Sequence, residues 1–146
     1  MAIWYILTAN LAAAVFQTAI PSAAEVQETA LLQVEKGQLP LVISAPHGGL
    51  QSPEGWEVRT NGVVVRDTNT YQIAESLADA IQLRTGQRPF LVLSKVHRKY
   101  LDLNRSLEES GGKSSPEKRR LWNTYHESIE RACQQAMTLG KGRALL

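Results

Sequence analysis

Five residues in two stretches have types and spacing that could do chemistry: His47 and Asp67 in one, Arg98, Asn104 and Arg105 in the other. A neutral imidazole and a carboxylate are both zinc ligands, so His47 and Asp67, twenty positions apart, are candidate metal ligands. Gly48 and Gly49 follow the histidine. Lacking Cβ atoms, they let the backbone approach a metal or a substrate closely. Each member of the pair has a second reading: His47 as a hydrogen-bonded loop histidine, and Asp67 as the N-cap of a helix entered at Thr68. The second stretch is denser. In His97-Arg98-Lys99-Tyr100-Leu101-Asp102-Leu103-Asn104-Arg105, two guanidiniums lie seven residues apart with an amide beside one of them. Such a set can bind a carboxylate as a fork, through paired charge-assisted hydrogen bonds. Asp102 could orient one arginine or complete a buried ion pair, and a solvated basic turn is the other reading of the run. His97 has cationic neighbours on both sides and is left out of the metal set.

The elements that must hold these residues read as alternating strand and helix, an α/β pattern. Residues 31–34 and 39–45 (LPLVISA) are two apolar runs separated by Lys36-Gly37, and they read as neighbouring strands joined by a tight turn. Pro46-His47-Gly48-Gly49 then breaks the second run, which places His47 at the C-terminal end of a strand. Open α/β sheets usually bind their ligands there. Residues 62–65 (GVVV) read as another short strand. Ile73, Leu77 and Ile81, with Ala74 and Ala78 beside them, mark an amphipathic helix, capped by Asp67 or Thr68 and ending at Gly86. Residues 90–96 (FLVLSKV) follow as a buried parallel strand and lead directly into the basic run. Residues 108–116 (EESGGKSSP) read as a mobile surface loop. A second long helix runs from Pro116 to Gly140 with Leu121, Tyr125, Ile129, Ala132 and Ala136 on one face, and residues 144–146 read as a strand just beginning.

The bulk composition narrows the function classes. Sixteen Lys and Arg against fourteen Asp and Glu leave a formal charge of +2 over 146 residues, too small and too scattered for a phosphate-binding face. Nucleic acid is therefore excluded as an expected partner. With one cysteine there is no internal disulfide and no Cys-based zinc site, so any metal must use His and carboxylate ligands. Cys133 itself falls on the apolar stripe of the second helix and reads as a core thiol. Residues 1–24 contain no charged side chain, and Ser22-Ala23-Ala24 after Pro21 offers the small residues of a cleavage site. They read as an export signal cleaved after Ala24, although no Lys or Arg stands at its start; an uncleaved anchor or a buried helix is the alternative. Asn10 and Gln17 interrupt the apolar run well below the roughly 20 residues of a membrane span, so no stable span is expected. Residues 25–146 are then one domain, located outside the cytoplasm.

Four stretches together resemble the N-formylglutamate amidohydrolase-like family: LPLVISAPHGG (39–49), RDTNTYQIAESLADAI (66–81), RPFLVLSKVHRKYLDLNR (88–105) and WNTYHESIERA (122–132). They cover most of the chain beyond residue 38. The resemblance implies a zinc-carboxypeptidase-like, phosphorylase/hydrolase-like α/β fold, a three-layer, mostly parallel sheet with flanking helices. It also implies hydrolysis of an N-acyl or amide bond in a small-molecule or peptide substrate that carries a carboxylate. His47 matches the family's first metal-binding histidine, and Asp67 the acidic residue that follows it. Arg98, Asn104 and Arg105 match positions similar to the carboxylate-binding Asn-Arg element of zinc carboxypeptidases. In that reading zinc activates the attacking water and polarises the scissile carbonyl. Family members continue past the second helix into a strand carrying a further metal ligand, so the chain is expected to be truncated before that ligand, with its general base also beyond Leu146. A carboxylate-binding module without the metal and a fragment without activity are the rival readings.

Overall fold

The computed structural model describes residues 30–146, and the expected leader, residues 1–24, lies outside them. Three short strands, β1 (Leu32–Glu35), β2 (Val42–Ala45) and β3 (Phe90–Ser94), form one sheet in the order β1-β3-β2. β3 takes the centre because it is apolar on both faces and buried at every position. Its side chains alternate between two cores, as a strand's period of two requires. Phe90 and Val92 pack with Leu32, Val42, Leu121, Tyr125 and Ala136. Leu91 and Leu93 pack with Ala45, Ala74 and Ala78. Helix α1 (Thr70–Thr85) therefore covers one face and helix α2 (Pro116–Leu139) the other.

The protein is a small α/β fold, but the sheet is mixed. β1 runs antiparallel to β3, and β2 parallel to it. β1 and β2 are thus not the neighbours that their spacing suggested. The chain reverses between them, and β3, the strand with two apolar faces, fills the gap, leaving the two half-buried strands at the edges. Residues 62–65 form no strand. Val63 and Val65 are exposed, and Arg59 takes the Val63 carbonyl through its Nη2 at 2.6 Å, so that segment is held by a side chain instead of a ladder.

α1 also turns a different face inward from the one its large residues indicate. Ala74 and Ala78 are buried, whereas Ile73 is 61% and Leu77 49% exposed. Small side chains let the helix lie close on β2 and β3, and packing decides the orientation over the larger moment of the aliphatic residues. Its entry is also unlike the expected cap. Asn69 occupies the N-cap position at φ 63°, a left-handed conformation that asparagine tolerates, and no side chain caps the helix. Gly86 ends it as expected.

α2 follows its sequence signals closely. Ser115 accepts a hydrogen bond from the Lys118 amide at 3.2 Å, Pro116 opens the first turn, and the Gly140 N–H closes on the Ala136 carbonyl at 2.9 Å. Cys133 is half-buried against the core, in keeping with a packing role. The segment before α2 is not the mobile loop expected over 108–116. Ser110 is fully buried, its carbonyl accepts from the Asp102 amide at 2.9 Å, and residues Gly112–Ser114 form a 3-10 turn. Beyond α2 the chain returns to β2. Leu145 pairs with Leu41 in parallel, with the Val42 amide donating to the Leu145 carbonyl at 2.8 Å, so the strand expected over 144–146 exists as a single rung. No helix among the described residues is long and apolar enough to cross a membrane.

Candidate functional site

β2 ends at Ala45, and the turn at Pro46 delivers His47 into the interior, where it is 5% exposed. The two glycines after it are required by the protein's own backbone. A Cβ on Gly48 would stand 2.2 Å from the Tyr71 amide nitrogen, and one on Gly49 would stand 2.1 Å from the Lys95 carbonyl carbon. The close approach expected towards a metal or substrate is thus made to α1 and to the end of β3. It fixes where the histidine sits. Gly49→Ala is expected to force the 46–51 segment off Lys95 at a cost of about 1–3 kcal/mol, as overpacking of a tight site does. Urea unfolding would measure this, and an unchanged midpoint would show that the segment can give way.

Both ring nitrogens of His47 face carboxylates. Nδ1 lies 3.1 Å from Asp67 Oδ2, and Nε2 lies 2.7 Å from Asp102 Oδ1. Of the two roles open to Asp67, the helix cap is not taken, since its carboxylate turns to His47 and its backbone carbonyl receives the Thr70 hydroxyl at 3.1 Å. The Asp67 side chain stays half exposed, while that of Asp102 is buried. Asp102 also accepts from Arg98 Nε at 2.9 Å and from the Asn104 amide at 3.1 Å, and Arg59 Nη2 stands 3.5 Å away. Burial pushes the Asp102 carboxyl up, but the hydrogen bonds from His47, Arg98 and the Asn104 amide outweigh it and hold the group below the usual carboxylate range.

The second stretch is divided by this cluster. Arg98 is nearly buried and spans the two acids, with Nη1 3.4 Å from Asp67 Oδ1. It is the arginine that Asp102 orients, one of the two roles expected of that acid. Asn104 and Arg105 are exposed, and Arg105 lines a cavity of about 600 Å³ together with Arg59, Lys118, Glu108 and Glu109. His97 stays apart, its Nδ1 accepting from the Lys99 amide at 3.1 Å.

Two participants were not legible in the sequence. Arg59 sits in a segment without periodicity, yet its guanidinium holds the carbonyls of Arg98, Asn61, Glu109 and Val63 and stands beside Asp102, binding three loops together. Burial lowers its pKa, and the Asp102 carboxylate opposes that shift. Lys118 is 2% exposed and donates to the Glu57 carbonyl at 2.7 Å, with its ammonium 5.6 Å above the Trp56 ring. The contact of Asp102 with His47 was also missed. Its one sequence signal was an acid standing alone among Arg98, Lys99 and Arg105.

The donor set gives a direct test of the metal reading. Ionised carboxylates only accept hydrogen bonds, so an imidazole flanked by two of them needs a positive centre on both sides. That is either a second proton or a cation between Nδ1 and Asp67. The 3.1 Å separation is close to the roughly 3.3 Å between two ligands about 2.0–2.1 Å from one tetrahedral zinc ion. It is equally an ordinary hydrogen-bond distance, so the two side chains stand as a bonded pair that an ion would have to part. Among the described residues, no group of three or more His, Cys, Asp or Glu side chains could hold a metal ion. Comparison with models of known families, with curated proteins and with solved structures finds no match to this chain.

Proposed function

We propose that this chain carries two ligands of the metal centre and the carboxylate-binding element of a zinc-dependent amide hydrolase. Its substrates are N-acyl amino acids or peptides, of which N-formylglutamate is one. Export through residues 1–24 and a larger, mostly parallel three-layer sheet, extended from the Leu145 rung, belong to the same reading. The observation that carries the proposal is the His47 arrangement at the end of β2, with Nδ1 facing Asp67 and Nε2 anchored on a buried Asp102. An imidazole whose second nitrogen is fixed on a carboxylate is the usual form of a metal-ligating histidine.

Zinc bound there would supply Lewis-acid polarisation of the scissile carbonyl and an activated water. The chain's own residues do the remaining work. Asp102 sets the His47 tautomer and ring angle, and Arg98 ties Asp67 to Asp102. Arg105, exposed at the cavity, offers a guanidinium to the substrate carboxylate, and Asn104 stands beside it. A third metal donor must come from outside the described residues. That requirement favours a second reading, a carboxylate-binding module that works without metal.

Calorimetric titration of the whole chain with N-formylglutamate, with and without millimolar zinc, separates the two. The hydrolase reading expects zinc to raise the affinity several-fold and His47→Ala to abolish the gain. Arg105→Lys should weaken binding in both conditions with zinc content unchanged, because the charge remains and the bidentate geometry is lost. Binding that is indifferent to zinc selects the module, and no binding in either condition sinks both.

A further inference from the structure

Trp122 and His126 lie one turn apart on α2, an i,i+4 pair facing the same way. The indole Nε1 donates to the Arg105 carbonyl at 3.0 Å. The His126 ring packs on that indole with centroids 4.0 Å apart and meets the Tyr125 ring edge-on at 5.5 Å. His126 Nε2 is buried without a hydrogen-bond partner. An unpaired buried polar atom is rare in native structures and calls for an explanation.

We propose that Trp122 and His126 are positioning residues that hold the Asn104–Arg105 segment from α2, and that uptake of a proton at His126 Nε2 releases it. The consequence for ligand binding rests on the carboxylate-binding reading of Arg105; the release itself does not. In the neutral ring, Nε2 is a lone pair with nothing to accept. Once protonated it becomes a charged N–H with no acceptor, enclosed between an indole and a phenol ring. Opening the packing to water relieves that charge.

The surroundings decide the sign. Burial lowers the His126 pKa, and the Leu103 backbone beside the ring opposes this. The packed state therefore prefers the neutral ring. Its contribution is complete above the ordinary histidine value of 6.5 and is lost as pH falls below it, towards the lowered value of the packed ring. The neighbouring Tyr125 and Asp102 are shifted away from that window. Tyr125 is pushed up to about 12 by burial. Asp102 is held below the usual carboxylate range by His47 and Arg98. Glu130, one turn further along α2, turns its carboxylate to Gln134.

The test is a proton–nitrogen correlation spectrum of the whole chain titrated from about pH 7.5 to about pH 5, spanning the histidine range. The Trp122 indole signal is assigned through Trp122→Phe. The expected result is a single titration of the Trp122 indole N–H below pH 6.5, shared by the Asn104 and Arg105 amides. Their hydrogen exchange, corrected for the intrinsic rate, should accelerate about tenfold over the window. In His126→Gln, which cannot take up the proton, the same signals should stay constant with pH. A wild-type indole signal that does not move, or a titration that survives in His126→Gln, overturns the proposal. The wild-type arm stands even if the variant fails to fold. A chain that titrates in this way yet binds no N-formylglutamate loses the carboxylate reading alone.

Discussion

Asp102→Ala is expected to destabilise the protein by about 3–5 kcal/mol, the cost of breaking a buried ion pair by removing one partner. Against a total stability of roughly 5–15 kcal/mol for a domain, that is the largest single-site effect foreseen in this fold. Asp102 is 1% exposed and receives His47, Arg98 and the Asn104 amide, with Arg59 nearby. Truncation leaves the nearly buried Arg59 guanidinium without its counter-charge and Arg98 with the half-exposed Asp67 alone. Asp102→Asn keeps the shape and one acceptor oxygen but turns an NH2 group towards one donor, so its loss should be smaller. The pH dependence carries a second signature. The folded pKa of Asp102 lies below its ordinary 3.8, so its contribution is present above 3.8 and is lost as pH falls through the lower, folded value. Urea unfolding at neutral pH and along an acid series measures both. A loss of under about 1 kcal/mol for the alanine variant would mean that solvent already compensates these charges.

That same cluster shows why the sequence was readable in some places and silent in others. α2 was legible from end to end because its signals are local: a proline in the first turn, a 3.6-residue stripe and a terminal glycine, to which the structure adds the Ser115 cap. β3 was legible as a buried strand from its unbroken apolar run. Strand order was not, because β1 and β2 are short and half-buried, and nothing local says that a strand from fifty residues downstream will lie between them. The face of α1 was misread for a related reason. Large aliphatic residues dominate any periodicity measure, whereas contact with the sheet selected Ala74 and Ala78 for their small volume.

In the site, residue type and position at a strand end were enough to single out His47, and Asp67 emerged with its capping role left open. The partner on the far ring nitrogen was not found, because Asp102 is 55 positions away and its neighbours in sequence are cations. Arg59 was invisible for the opposite reason. Four of its bonds go to backbone carbonyls, which any sequence provides. The two arginines of the basic run look alike as letters, but one closes a buried network and the other faces solvent. Burial makes that division, and spacing does not encode it.

Zinc binding by the whole chain is expected to be weaker than roughly 10 μM and to run through His47 and Asp67. Two side chains are one fewer than a catalytic zinc site usually has. Asp67 must also release Arg98, and Nδ1 must give up its contact with Asp67, before either can face an ion. Because the imidazole must bind through a deprotonated nitrogen, affinity should fall as pH drops. His47→Ala and Asp67→Asn should each remove the binding. Asp102→Asn makes the sharper test, since that side chain takes Nε2 and no proposed ligand position. Loosening the far side of a ligating histidine typically costs 10–100-fold in metal affinity, and roughly that loss is expected here. Histidine ring signals followed by NMR during zinc titration at pH 7 can read affinities this weak, and the variant's amide spectrum shows whether it remains folded. Micromolar or tighter binding by the wild type would overturn the two-ligand reading, and the ring signals of His97 and His126 would show which histidine supplies the third donor. Shifts at those rings with none at His47 would move the metal away from the end of β2 altogether.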